Sequence, residues 1–179
     1  MNYATIKKRD IANGPGVRVS LFVSGCTHRC PGCFNEIAWD FSYGEPFTPA
    51  VEDELLEALA PDYIKGLSLL GGEPFEPQNQ RTLLPFLQKV RERYPEKTVW
   101  CYSGYVLEEL MGQRESRARC EVTDGMLAML DVLVDGRFVL EKKNIRLRFR
   151  GSENQRLIDL NKTRAAGEIV LWDDGAHRS

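Results

Sequence analysis

A chain of 179 residues, 42% of them hydrophobic, has the size and apolar content of one compact unit with an ordinary buried core. Its 24 basic and 26 acidic side chains leave a formal net charge of −2, which gives no global field for holding nucleic acid or an anionic membrane. Residues 1–10 lack the apolar stretch of a secretory signal and no later run approaches bilayer-spanning length, so the expected location is the cytoplasm, where clustered cysteines are more often metal ligands than disulfides.

The first predicted element is a strand at Val17–Val23, where polar and apolar residues alternate among β-branched and aromatic types. It ends at Ser24-Gly25, directly before three cysteines. Thr48 and Pro49 carry the start signals of a helix that runs through Leu59 and is closed by Pro61. Residues 67–70 form a buried-strand candidate stopped by Gly71-Gly72, and the pattern then repeats as helix 80–94, strand 98–102 and short helix 106–111. A polar loop over 112–119 leads to a helix at 123–130 and an apolar strand at 132–134, ended by Asp135-Gly136. Ser152-Glu153-Asn154-Gln155 fits a capping box opening a further short helix. Arg18 on the first strand reads as a structural ion-pair or rim residue.

Strands alternating with helices predict an α/β fold with parallel units. A complete eight-unit barrel takes about 250 residues. The expectation is therefore an incomplete (β/α) barrel of five to six units, open on one side, over residues 1–156. Residues 157–179 are read as a C-terminal extension of unknown role, with a strand-like apolar segment at 168–172.

Cys26-Thr27-His28-Arg29-Cys30-Pro31-Gly32-Cys33 is the main chemical signal. Spacings of three and two residues let one loop wrap three thiolates around a single centre, with Pro31 and Gly32 supplying the turn. Two readings are open on spacing alone: a reactive iron–sulfur site with one open coordination position, and a closed structural zinc site completed by His28. Reaching the same metal from so short a loop is sterically awkward for His28, which favours a solvated or supporting histidine. Cys101 and Cys120 lie outside any ligand-spaced loop and read as a buried hydrophobe or an incidental thiol. In Gly71-Gly72-Glu73-Pro74, two glycines after a buried strand allow close backbone approach, and the carboxylate can accept from an ammonium group.

The cysteine spacing resembles the radical S-adenosylmethionine superfamily, whose signature is usually followed by an aromatic residue, here Phe34. The resemblance narrows with residues 13–18, Gly32-Cys33-Phe34-Asn35, the Gly71–Pro74 segment, Tyr102-Ser103-Gly104-Tyr105, residues 131–136 and Arg150-Gly151-Ser152-Glu153-Asn154-Gln155-Arg156. Together and in this order they are similar to the family that activates anaerobic ribonucleoside-triphosphate reductase, with Phe34, Glu73 and Ser103 standing where that pattern usually has tyrosine, aspartate and threonine. The resemblance implies a [4Fe–4S] cluster on Cys26, Cys30 and Cys33 as the catalytic centre, and S-adenosylmethionine as the second cofactor. Gly32, Cys33 and Phe34 would line its adenine side, Gly72 and Glu73 would hold its amino end, and Ser103 and Asp135 would complete the cofactor site. It further implies one-electron reduction by a donor such as flavodoxin, and removal of a hydrogen atom from a glycine of the large reductase subunit. The rival readings are an activase for another glycyl-radical enzyme of the pyruvate formate-lyase type, an enzyme of the same chemistry acting on a small molecule, and a non-catalytic zinc or iron–sulfur protein.

Overall fold

In the computed structural model, which describes residues 1–173, alternation along the strands separates a helix-covered face from a second, more polar one. The strands are β1 (Asn2–Asp10), β2 (Val17–Val23), β3 (Glu45–Pro46), β4 (Ile64–Gly71), β5 (Thr98–Ser103), β6 (Val132–Asp135) and β7 (Arg156–Asp159). They form one open sheet in the order β3-β1-β2-β4-β5-β6-β7. The central four, β2, β4, β5 and β6, are parallel, while β1, β3 and β7 run antiparallel to their neighbours.

The parallel part thus has four strands rather than the five to six expected. The loop between β1 and β2 is too short for a parallel crossover, which takes about a dozen residues or more, so β1 folds back as a hairpin. At the other end, residues 143–155 form no helix after a single 3-10 turn at Leu140–Lys142, and β7 returns antiparallel to β6. The capping-box expectation at Ser152 is corrected: Ser152 is buried in a turn and its hydroxyl accepts from the Val139 amide. The boundary read at 156/157 falls within β7, and Leu157, Ile158 and Leu160 beyond it are buried.

Helices α1 (Pro49–Ala58), α2 (Pro77–Arg93), α3 (Leu107–Leu110), α4 (Thr123–Ala128) and α5 (Leu160–Ala166) place apolar residues on one face of the sheet. Val19, Leu21, Val23, Leu67, Leu69, Val99 and Leu133 project from the strands into the layer formed by Leu55, Leu83, Phe86, Leu87 and Val90. The sequence signals for α1 act as read, with Pro49 opening the helix and the Thr48 hydroxyl accepting from the Val51 amide at 3.3 Å. On the other face, Trp100, Val132, Val134 and Leu157 form a second cluster against Tyr102, Phe149 and Trp172. The segment at 168–172 supplies that last residue: the Asp159 amide donates to the Val170 carbonyl and the Trp172 amide to the Leu157 carbonyl, laying the tail along β7.

Arg18 also projects onto this second face, fully buried. It is neither a rim residue nor a member of an ion pair. Its guanidinium donates to Ser68 Oγ (2.9 Å), Thr98 Oγ1 (2.9 Å) and the carbonyls of Leu67 (3.0 Å) and Thr98 (2.9 Å), joining β2, β4 and β5. Burial alone lowers its pKa to about 10, so a charged group sits in the interior with neutral acceptors only.

Candidate functional site

Register brings the four parallel strands to a common edge: Val23 pairs with Gly71, and Ser103 with Asp135. In parallel α/β sheets this carboxyl edge is where ligands bind. A cleft of about 490 Å³ opens there, lined by Cys26, Cys30 and Cys33 after β2, Gly71 to Glu73 after β4, Ser103 and Gly104 after β5, and Gly136 after β6. Phe138, Leu147, Phe149, Arg150 and Gly151 wall the remaining side.

The cysteine loop is held against the β4 end by backbone and carboxylate contacts. The Gly72 amide donates to the Val23 carbonyl and the Glu73 amide to the Gly25 carbonyl, both at 2.8 Å. A side-chain carbon at Gly72 would lie 2.6 Å from the Gly25 carbonyl oxygen and 2.8 Å from that of Ala38. The close approach this glycine permits is therefore to the cysteine loop itself. Glu76 accepts from both the amide (2.9 Å) and the hydroxyl (2.7 Å) of Thr27.

Glu73 is fully buried, and each of its oxygens accepts twice. Oε1 takes His28 Nε2–H (2.7 Å) and the Gly104 amide (2.7 Å); Oε2 takes the Phe75 amide (2.9 Å) and the Ser103 hydroxyl (2.9 Å). A carboxylate has about four acceptor positions, and all are filled by the protein. The carboxylate expected to accept from a ligand ammonium is met in this structure by protein donors, and Glu73 ties the cysteine loop to the ends of β4 and β5. His28 is correspondingly not solvated. Its side chain is 3% exposed and its ring packs edge-on against Tyr105 at 4.4 Å. Gly104 makes room for it, since a side-chain carbon there would come within 2.6 Å of the imidazole.

All five cysteines are free. Burial, and after it the Glu73 charge, push the Cys26 thiol up to about 12, and burial raises Cys30 as well. Thiolates at Cys26 and Cys30 need a bound cationic metal to hold them deprotonated, which suits iron bound in a cluster. Among the described residues no group of three His, Cys, Asp or Glu side chains is placed to hold a single metal ion. His28 is bonded to Glu73 through Nε2, while its Nδ1 is buried without a hydrogen-bond partner. A cluster spreads its three thiolates over three irons and does not need them to converge on one point.

A family model described as a 4Fe-4S single cluster domain matches residues 12–158. The chain is 45% identical over 157 residues to the anaerobic ribonucleoside-triphosphate reductase-activating protein of Escherichia coli strain K12, covering 87% of this chain and 96% of that protein. The protein of the same name from Haemophilus influenzae is 44% identical over the same shares, and that of Enterobacteria phage T4 is 41% identical over 159 residues, 88% of this chain and 93% of the phage protein. The chain belongs to this family of reductase-activating proteins.

Within this activating-family chain, Cys26, Cys30, Cys33, Phe34, Gly72, Glu73 and Ser103 all reach the one cleft, but Gly32 and Asp135 do not line it. Asp135 is buried beneath the β6 end, where it accepts from the Leu107 amide and pairs with Arg156, itself bridged to Glu108. There it ties α3 and β7 to the end of β6. The Ser103 hydroxyl is also committed, donating to Glu73 and accepting from the Tyr105 amide. Cys101 is fully buried within β5 and Cys120 contacts Gln80 away from the cleft, so both stand apart from the three ligand candidates. Sequence reasoning missed Glu76, which carries no motif, and the cleft wall at 138–151, whose Arg150-Gly151 motif was visible but had been given no place.

Proposed function

We propose that this chain activates the anaerobic ribonucleoside-triphosphate reductase as a radical S-adenosylmethionine enzyme in the cytoplasm. The observation that carries the reading is the placement of Cys26, Cys30 and Cys33 on one loop at the carboxyl edge of the parallel strands, inside a cleft of cofactor size. The names of the relatives support the reductase as substrate over a pyruvate formate-lyase type of enzyme. We read the open sheet as part of a barrel; no helix among the described residues is long and apolar enough to cross a membrane.

Cys26, Cys30 and Cys33 would hold a [4Fe–4S] cluster, and S-adenosylmethionine would lie between it and the glycine-rich strand ends. When bound, the pair would supply the one-electron chemistry, fed by a donor such as flavodoxin, for removal of a hydrogen atom from a reductase glycine. The protein's own work is positional. Glu73 and Glu76 fasten the cysteine loop through His28 and Thr27, so the thiolates are presented to the cleft at one place. Phe34, its ring tilted against Phe138 at 5.2 Å between centroids, forms an aromatic wall beside Cys33. Phe149 and Leu147 narrow the cleft and exclude water from its far side.

The test is anaerobic reconstitution with iron and sulfide, followed by mixing with the large reductase subunit, S-adenosylmethionine and a reductant. Electron paramagnetic resonance is expected to show a glycyl doublet on the reductase. Cys30→Ala is expected to lose both cluster iron and the doublet, while Cys101→Ser and Cys120→Ser keep both. Normal iron content in Cys30→Ala would sink the ligand assignment, and 5′-deoxyadenosine formed without a doublet would reject the reductase as substrate.

A further inference from the structure

The mouth of the cleft is bordered by residues 137–150, where Arg137, Lys142, Lys143, Arg146, Arg148 and Arg150 stand against the single acid Glu141. Six of the chain's 24 basic side chains thus fall in this one segment, in a chain of net charge −2. Arg137, Lys142, Lys143 and Arg146 are exposed, and none of the four forms an ion pair with the described residues. Leu140 and Ile145, 48% and 90% exposed, sit among them. Phe34 lies across on the cysteine-loop side, 73% exposed, so three of the nine large exposed hydrophobics of the described chain belong to this rim. The two sides meet directly: the Phe34 ring contacts Phe138, and Lys143 Nζ lies 5.2 Å from its centroid. Exposed apolar groups ringed by unpaired charge of one sign are the anatomy of a protein interface.

We propose that this basic, apolar-studded rim docks the reductase through an acidic face flanking the loop that carries its glycine. The proposal rests on the activating role above and names the surface that serves it. The same segment walls the cleft with Phe138, Leu147, Phe149 and Gly151, so a protein seated on the rim lies across the entrance its own loop must use. An electron donor requires only closeness to the cysteines, and the second hollow against Cys26, lined by Thr27, Arg29, Ile37 and Trp39, gives such closeness without blocking the mouth.

The experiment compares the full-length reconstituted protein with Lys142→Glu/Arg146→Glu and with Ile145→Ser, measuring association with the large reductase subunit over a range of salt. None of these side chains lines the cleft, so reductive cleavage of S-adenosylmethionine without reductase is expected to match wild type in all three proteins. At low salt the charge-reversed protein is expected to associate about tenfold or more slowly, with a flattened salt dependence and a smaller change in dissociation. Ile145→Ser is expected to dissociate faster with little change in association. Unchanged reductase binding by the charge-reversed protein would overturn the docking surface even with a normal glycyl doublet. Unchanged reductase binding with slowed reduction by flavodoxin would also overturn it, assigning the rim to the donor. Failure of the wild type to bind the reductase at all would remove the activating role and the docking surface together.

Discussion

Glu73 shows how much of a site one buried carboxylate can tie together. Because its four acceptor positions face four protein donors, Glu73→Gln turns an amide NH₂ toward at least one of them. The expected loss is about 1–3 kcal/mol in the urea unfolding of the metal-free protein. An unchanged midpoint would mean that the buried network is dispensable. Asp10 plays a comparable part at the near side of the cleft, accepting from Ser20 Oγ, the Ala12 amide and Asn13 Nδ2 and so shaping the turn that places Asn13 at the cleft. Burial opposes its ionisation, but the Ser20, Ala12 and Asn13 hydrogen bonds outweigh that and hold its pKa below the usual aspartate value. A depressed carboxylate stabilises the fold above its ordinary pKa, and the contribution disappears as pH falls through the folded value. The stability gap between wild type and Asp10→Asn should therefore be constant above about pH 5 and close below about pH 4. A gap that is flat down to pH 2 would separate Asp10 from acid unfolding.

At the scale of elements, the parallel strands and their helices were legible because each carries a periodic apolar face and a stop signal: Val17–Val23 is found as read, and α1 starts and ends within a residue of Thr48 and Leu59. The antiparallel additions were not. β1 buries only Asp10 and carries Lys7, Lys8 and Arg9, so it lacks the apolar alternation that marks a buried strand; its existence depends on pairing with β2. The grouping of Cys26, Cys30 and Cys33 on one loop was legible because their spacing is local, whereas the wiring of Glu73 to His28 links residues 45 apart and leaves no trace in spacing. The tail is a similar case. The Trp172 ring lies 4.9 Å from Trp100 and 6.0 Å from Phe149, closing the second core cluster. Trp172→Ala is expected to cost about 1–3 kcal/mol by thermal or denaturant unfolding, since the indole is only partly buried. A variant as stable as wild type would reduce the tail to an ornament of β7.

Across the whole molecule, the site exists only when strands distant in the chain have come to one edge. The Arg18 guanidinium measures that requirement, since its partners Ser68 and Thr98 lie 50 and 80 residues further along. Before β4 and β5 have both arrived, the cation keeps its water, because half of its hydrogen bonds in a dry interior would leave it charged and unsatisfied. Closing such long loops ahead of any reward makes this junction a late event on the folding route. Arg18→Met removes the charge while keeping much of the bulk. Any stability it loses should therefore show as faster unfolding with a nearly unchanged refolding rate, a φ-value near zero. A refolding limb slowed in proportion to the lost stability would place the junction in the nucleus instead. The buried cation would then act as a clock hand for assembly: while it remains hydrated, the four strand ends have no common edge and the three cysteines have no shared cleft in which to receive iron.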